Sequence, residues 1–129
     1  WMLGNNINTA GWPACGEMDI MEHLGRDLNK IYATLHYPGR SGGNADGNTK
    51  IISNATTSFH IYTMEWTSSI IKIFVDGELI HSVSNSTSIP FNQNFFFILN
   101  IAMGGNFGGP VDAAFTNASM EIDYIRVYQ

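Results

Sequence analysis

The sequence contains little cysteine and few charged residues. Its 129 residues include one cysteine, Cys15, so no disulfide can form within the chain. Charged residues make up 13% of the total, and 6 Lys and Arg stand against 11 Asp and Glu. The net charge of -5 gives no attraction to nucleic acid or to anionic lipid. A neutral polysaccharide would be unaffected by it.

Long apolar runs and long helical patterns are also missing. No apolar run reaches the length that a membrane span needs. Short alternating segments separated by Gly, Asn and Ser clusters instead predict an all-β fold in a single domain, residues 1–129. The predicted strands after the first acidic segment are 31–36, 59–66, 70–76, 79–83, 95–103 and 120–128.

Several local patterns sharpen this prediction. Ile31, Ala33 and Leu35 alternate with polar or aromatic residues, which predicts a half-buried strand. The Gly- and Asn-rich segment 39–48 predicts a long loop that borders a cleft. Asp76-Gly77 predicts a tight hairpin turn, and the almost continuously apolar segment 95–103 predicts a strand that is buried on both faces.

The segment 16–25 places three carboxylates, Glu17, Asp19 and Glu22, within an apolar strand. In a regular strand Glu17 and Asp19 would share one face, and Glu22 would point to the other. One surplus residue at Ile20 or Met21, a β-bulge, would bring all three carboxylates to the same face. Because like charges repel and folding gains nothing from them, this arrangement indicates chemistry.

Two glutamates on one concave face are what cleavage of a glycosidic bond requires. One attacks the anomeric carbon or activates water, and the other protonates the departing oxygen. Asp19 between them would hydrogen-bond one glutamate and raise the proton affinity of another. A calcium site is one alternative, although calcium usually takes six to eight oxygens. The other alternative is a solvated strand face with no part in chemistry.

Residues 12–22, Trp-Pro-Ala-Cys-Gly-Glu-Met-Asp-Ile-Met-Glu, resemble the active-site strand of glycoside hydrolase family 16, in particular its laminarinase-like endo-β-1,3-glucanases. Further matches follow in order at 59–66, 73–77, 99–106 and 122–128. The resemblance implies a jelly-roll (concanavalin-like) antiparallel β-sandwich. It also implies a retaining endo-glycosidase in which Glu17 is the nucleophile, Glu22 the acid/base and Asp19 the assistant.

The chain resembles only the C-terminal half of such a catalytic domain, so the sandwich is expected to be truncated. Two alternatives to the active enzyme therefore stay open: a β-glucan-binding module with little or no turnover, and a fragment that is active only when complemented or dimerised. The partner would be a β-glucan polysaccharide, together with a second copy or a strand-complementing chain. The substrate class implies an extracellular location, and mixed-linkage glucan is a further substrate to test.

Candidate ligands lie around the acids. Trp12 and Trp1 are predicted to stack on sugar rings, with core packing as the alternative. His36 should share the face of the carboxylates and bind substrate or tune the acid/base. Asn100 and Asn106 would hydrogen-bond sugar hydroxyls or tie a strand to a loop. The resemblance implies no cofactor for catalysis, and it places Asp123 where relatives bind a structural calcium.

Overall fold

The computed structural model describes residues 1–129, which divide into two compact units, Trp1–Ile98 and Leu99–Gln129. The first unit contains all the strands and the second contains one short helix, α2 (Gly105–Gly108). No helix has the length and apolar character of a membrane span. The elements of the first unit are β1 (Met2–Gly4), α1 (Ile7–Ala10), β2 (Glu17–His23), β3 (Lys30–His36), β4 (Asp46–Ile51), β5 (Tyr62–Trp66), β6 (Ile70–Val75), β7 (Glu78–Ser84) and β8 (Phe95–Phe97), with a 3-10 turn at Gly42–Asn44.

The strands form two antiparallel sheets around one hydrophobic core. Five strands lie in the order β4-β3-β2-β1-β8, and the other three lie in the order β5-β6-β7. The core draws buried side chains from both sheets. This arrangement confirms the predicted all-β fold of the β-sandwich type.

Strict alternation along the strands separates the core from the opposite face. On β3, Ile31, Ala33 and Leu35 are at most 1% exposed, whereas the residues between them are half-buried. On β6 the buried positions are Ile71 and Ile73, followed by Val75. Each such apolar side chain contributes about 1.5–3 kcal/mol by leaving water. The core therefore fixes which residues of β3 face the other way.

The predicted hairpin turn is confirmed. Asp76 and Gly77 join β6 to β7 with φ of 50° and 82°. Positive φ at both central residues gives the turn the twist that a two-residue hairpin needs, and glycine adopts it without steric cost. Neighbouring strand ends differ from the prediction by up to three residues, since β5 begins at Tyr62 rather than at position 59.

The prediction of a loop over the whole of 39–48 is wrong at its last three residues, because β4 begins at Asp46. Strand β4 pairs with β3 from Asp46 opposite Leu35 to Ile51 opposite Lys30. A Cβ at Gly47 would lie 2.7 Å from the carbonyl oxygen of Ala33, so the close approach needs glycine. Pairing with a well-formed neighbour outweighed the weak strand propensity of Gly and Asn.

The two C-terminal strand predictions are wrong except at Phe95–Phe97. Within 95–103 only Phe95–Phe97 forms a strand, and it pairs with β1. Beyond it, Leu99, Ile101 and Met103 are 47–54% exposed. Residues 120–128 form no strand. A strand needs a neighbour whose backbone continues the hydrogen-bond ladder, and the ladder with β1 ends at Phe97.

The core makes a direct prediction about stability. Leu35→Ala should lower the free energy of unfolding by about 2–5 kcal/mol, because it leaves a cavity under β3. Ile51→Ala on the neighbouring strand is the control, since Ile51 is 68% exposed and its loss should change stability by less than about 0.5 kcal/mol. Urea unfolding of both variants measures the difference, and equal effects would show that the core is not where the structure places it.

Candidate active site

A β-bulge in β2 brings the three acids to one face. Strand β2 pairs with β3 at Glu17 opposite His36 and at Asp19 opposite Thr34, and the register then shifts before Glu22 meets Tyr32. Three steps along β2 match two along β3, so the surplus residue lies at Ile20 or Met21, as predicted. Met18 is fully buried in the core. Glu17, Asp19 and Glu22 therefore all project on the side away from it.

Glu17 is held by two aromatic neighbours. The indole Nε1 of Trp12 donates a hydrogen bond to Glu17 Oε2 at 2.8 Å, and His36 Nε2 lies 3.8 Å from Oε1. Burial raises the pKa of the Glu17 carboxyl, and the negative charge of Asp19 raises it further. The indole bond and His36 oppose this rise by favouring the charged form. One oxygen is thus fixed while the other faces the centre of the site.

Asp19 is the buried member of the trio. Its exposure is 2%, and its Oδ2 lies 3.1 Å from His36 Nε2. The contact is close, but it does not have the geometry of a hydrogen bond. A buried carboxylate so weakly solvated exerts its charge on its neighbours with little screening. Asp19 therefore acts on both glutamates.

Glu22 keeps its proton to a much higher pH than an ordinary glutamate. Burial is the main cause, and the charge of Asp19 adds to it, so that the pKa rises to about 7. Thr34 donates a hydrogen bond to Glu22 Oε2 at 3.2 Å, which opposes the rise by favouring the carboxylate. At neutral pH this group can both give and accept a proton, as a general acid/base must.

His36 connects the acids to the turn after β3. The backbone N–H of Gly42 donates to His36 Nδ1 at 3.1 Å, and the ring of Trp12 lies 5.7 Å away at a tilt of 45°. The contact with Asp19 raises the pKa of the His36 ring, and burial opposes this rise. The prediction that His36 shares the face of the acids is confirmed by the distances.

Glu17, Asp19 and His36 are also the one group that could hold a metal ion. One ligand atom from each lies within 4.8 Å of the others. Metal-bound histidines usually donate their second ring nitrogen to an acceptor, whereas His36 Nδ1 accepts a hydrogen bond from Gly42. The neutral ring then carries its proton on Nε2, toward the carboxylates. The arrangement suits a proton better than a metal ion.

A shallow cavity of about 290 Å³ lies beside Glu22. It shares Thr34 with the acid/base position and Gly42 with His36. Every residue around it is uncharged, as suits a neutral ligand. The lining residues are Tyr32, Thr34, Gly42, Gly43, Ala45, Gly47, Asn48 and Thr49.

The other predicted ligands are Trp1, which precedes the strand that pairs with Met18 and Glu17, and three residues of the second unit. Trp1 is half-buried, and its amino group donates to the carbonyl of Ile98 at 3.1 Å. Asn100, Asn106 and Asp123 belong to the unit Leu99–Gln129, and Asp123 is in no cluster of three metal-ligating side chains. Sugar contacts of these residues, and a calcium at Asp123, stay predictions.

Sequence reasoning missed Thr34, Gly42 and Tyr32. Thr34 was predictable in principle, because the period of two places it on the face of His36. The role of Gly42 depends on a turn between two strands, one of which was not predicted. No pattern in the sequence indicates that a backbone N–H there meets the histidine.

Comparison with known proteins gives consistent matches along the chain. The profile of Glycosyl hydrolases family 16 matches residues 1–126. A β-glucanase of Rhodothermus marinus is 36% identical over the whole chain and half of its own length. A β-1,3-glucan-binding protein of Penaeus monodon is 31% identical over 84% of the chain and 38% of its own length.

A solved structure is similar to this chain in both fold and sequence. The laminarinase catalytic domain of Thermotoga maritima aligns with a TM-score of 0.81 and 41% identity, over 88% of this chain and 49% of that one. The chain thus spans half or less of the length of these relatives. The family match over residues 1–126 includes the strands that carry the acids.

The raised proton affinity of Glu22 can be measured directly. The side-chain carboxyl of Glu22, followed by carbon-13 NMR, should titrate with a midpoint of about 7. Thr34→Val removes a hydrogen bond to the carboxylate, so the midpoint should move upward by about 0.5–1 pH unit. Thr49→Val is the control, since Thr49 touches no carboxylate, and it should leave the midpoint unchanged. A Glu22 midpoint near 4.5 in the unmodified protein would refute the described environment.

Proposed function

The chain belongs to glycosyl hydrolases family 16, and from this premise we propose that it cleaves internal β-1,3 bonds of laminarin-type β-glucans with retention at the anomeric carbon. Enzymes of this family are glycoside hydrolases, and its matched relatives include a β-glucanase and a laminarinase. The observation that carries the proposal is the bulge, which gathers two glutamates and a buried aspartate on one face.

In the proposed reaction Glu17 attacks the anomeric carbon. Its Oε2 is occupied by the Trp12 indole, so Oε1 is the attacking oxygen. Its bond to the sugar forms as the glycosidic bond breaks, which leaves a glycosyl-enzyme ester. Trp12 is 49% exposed, and its open ring surface is suited to the C–H face of the sugar held there.

Glu22 acts first as acid and then as base. With a pKa of about 7 it is substantially protonated at neutral pH, and its proton passes to the departing glycosidic oxygen. The resulting carboxylate then takes a proton from the water that hydrolyses the ester, which restores both glutamates. Asp19 does not exchange atoms with the substrate. Its charge keeps the proton affinity of Glu22 high.

The proposed substrate is more specific than the glycoside hydrolysis that the family shares. The β-1,3 linkage follows from the laminarinase among the matched structures, and mixed-linkage β-glucan is included for testing. A polymer of this kind is met outside the cell, so we assign the protein to the extracellular space. An uncharged cavity beside Glu22 and a net charge of -5 suit a neutral polysaccharide.

A second candidate function is β-glucan binding with little turnover. It is favoured by the match to a β-1,3-glucan-binding protein and by the share of the relatives' length that the chain spans. Binding of laminarin without release of reducing ends would support it. Activity that appears only on mixing with a complementing chain, or on self-association, would instead support a strand-complemented enzyme, because an open sheet edge invites pairing.

Substitution of the acids tests the assignment. Glu17→Gln and Glu22→Gln should each lower the rate of laminarin hydrolysis by roughly 10²–10⁴-fold, because each removes a group that takes part in bond cleavage. Glu65→Gln is the control, since Glu65 pairs with Lys72 on the other sheet and should retain full activity. Reducing-end release measures the rates. Full activity in either acid variant would remove that residue from the mechanism.

The stereochemistry is tested separately. Proton NMR of the first product formed by the unmodified chain should show the β-anomer before mutarotation. An α-anomer would show inversion, and Glu17 would then have to activate water rather than attack the sugar.

The cavity beside Glu22 predicts a specific loss on polymers. A side chain at Gly43 meets no atom within 4 Å of its Cβ, so Gly43→Leu should fold and fill the cavity. Gly25→Leu is the matched control, since its Cβ also meets nothing and it lies outside the lining. Hydrolysis of laminarin should fall at least about tenfold in Gly43→Leu and stay unchanged in Gly25→Leu. Equal rates in both variants would show that the polymer does not cross the cavity.

A further inference from the structure

The hydrogen bond from Gly42 fixes which nitrogen of His36 carries the proton. A backbone N–H is always a donor, so His36 Nδ1 must be the acceptor at 3.1 Å. A neutral imidazole has a single N–H, which is then on Nε2. The 3-10 turn Gly42–Asn44 begins at this glycine, so the turn itself selects the tautomer.

The proton on Nε2 of His36 faces the carboxylates of Asp19 and Glu17. Nε2 lies 3.1 Å from Asp19 Oδ2 and 3.8 Å from Glu17 Oε1. The His36 side chain is 13% exposed and that of Asp19 is 3% exposed, so water competes weakly for this contact. The opposite tautomer would place a lone pair against two carboxylates and an N–H against the Gly42 N–H. Both contacts would be repulsive.

His36 is thus placed to act through the acids. Its ring contacts Trp12 at 5.7 Å, and its side chain is mostly covered, whereas a sugar ligand would need an open surface. Asp19 Oδ2 is buried and meets no other hydrogen-bond partner, so His36 Nε2, at 3.1 Å, is the donor placed to serve it.

We propose that His36 is a positioning residue, locked by the Gly42 N–H as the Nε2–H tautomer so that it holds Asp19 in place beside the free oxygen of Glu17. This proposal rests on the proposed function for its effect on the rate, and it replaces direct substrate binding as the role of His36. The turn 42–44 thereby belongs to the catalytic apparatus, although it contributes only a backbone group.

The tautomer can be read without any activity. Nitrogen-15 NMR of the His36 ring, at a pH where the ring is neutral, should show a protonated Nε2 and a bare Nδ1. A bare Nε2 and a protonated Nδ1 would overturn the proposal. His60, whose Nδ1 faces Asp76 Oδ2 at 2.6 Å and whose Nε2 faces the Asn54 carbonyl at 3.3 Å, is the internal comparison, because no donor holds either of its ring nitrogens bare.

Two amide variants separate the two ring nitrogens. The amide of Gln reaches about as far as Nε2 and can donate to Asp19, whereas the amide of Asn reaches only as far as Nδ1. His36→Gln should therefore keep kcat for laminarin within about tenfold, and His36→Asn should lower kcat roughly a hundredfold with KM little changed. His60→Asn, in a histidine–carboxylate pair outside the site, should leave kcat unchanged.

The outcomes distinguish this proposal from the proposed function. A rise in KM at constant kcat in His36→Asn would show that His36 binds substrate, and equal kcat in the Asn and Gln variants would also overturn the positioning role. If the unmodified chain has the Nε2–H tautomer but releases no reducing ends, the proposed function fails while the assignment of the tautomer stands. Full hydrolysis with the other tautomer would refute the positioning role alone.

Discussion

The surplus residue between Asp19 and Glu22 is the constraint on which the site depends. Without it the period of two would send Glu22 to the core face, where a carboxylate has no partner. With it Met18 fills the core, while the three acids meet His36 and Thr34 of the neighbouring strand. The buried alternation of β3 fixes the facing residues, so the core and the bulge together define the site.

Burial and the charge of Asp19 together raise the pKa values of the two glutamates. Asp19 lies between them and is almost fully covered, so its field reaches both with little screening. Trp12 and His36 oppose the rise in the pKa of Glu17, while Glu22 has only the opposing bond from Thr34 and, at greater distance, His36. This asymmetry separates an attacking carboxylate from a proton donor, although both are glutamates on one strand.

The sequence was sufficient for features that depend on local period, and insufficient for those that depend on neighbours. The bulge, the Asp76-Gly77 turn and the two faces of β3 follow from alternation and turn chemistry. Strand β4 could not be predicted from its Gly and Asn residues, because its partner β3 stabilises it. The apolar segments at 99–103 and 120–128 have strong strand propensity but form no strand.

The same limit applies to the site. The acids and His36 were predictable because their spacing along two strands brings them to one face. The bond from Gly42 to His36 and the bond from Thr34 to Glu22 arise from tertiary contact. These two bonds decide where protons lie, and residue type alone does not indicate them.

The most direct measurement of the central claim is capture of the glycosyl-enzyme. A laminari-oligosaccharide with fluorine at C2 and a good leaving group should react with the chain and stop at the ester, because fluorine slows its hydrolysis. Peptide mass spectrometry should then find one sugar adduct, on Glu17. An adduct on Glu22, or an active chain that forms no adduct, would contradict the placement of the nucleophile that the bulge implies.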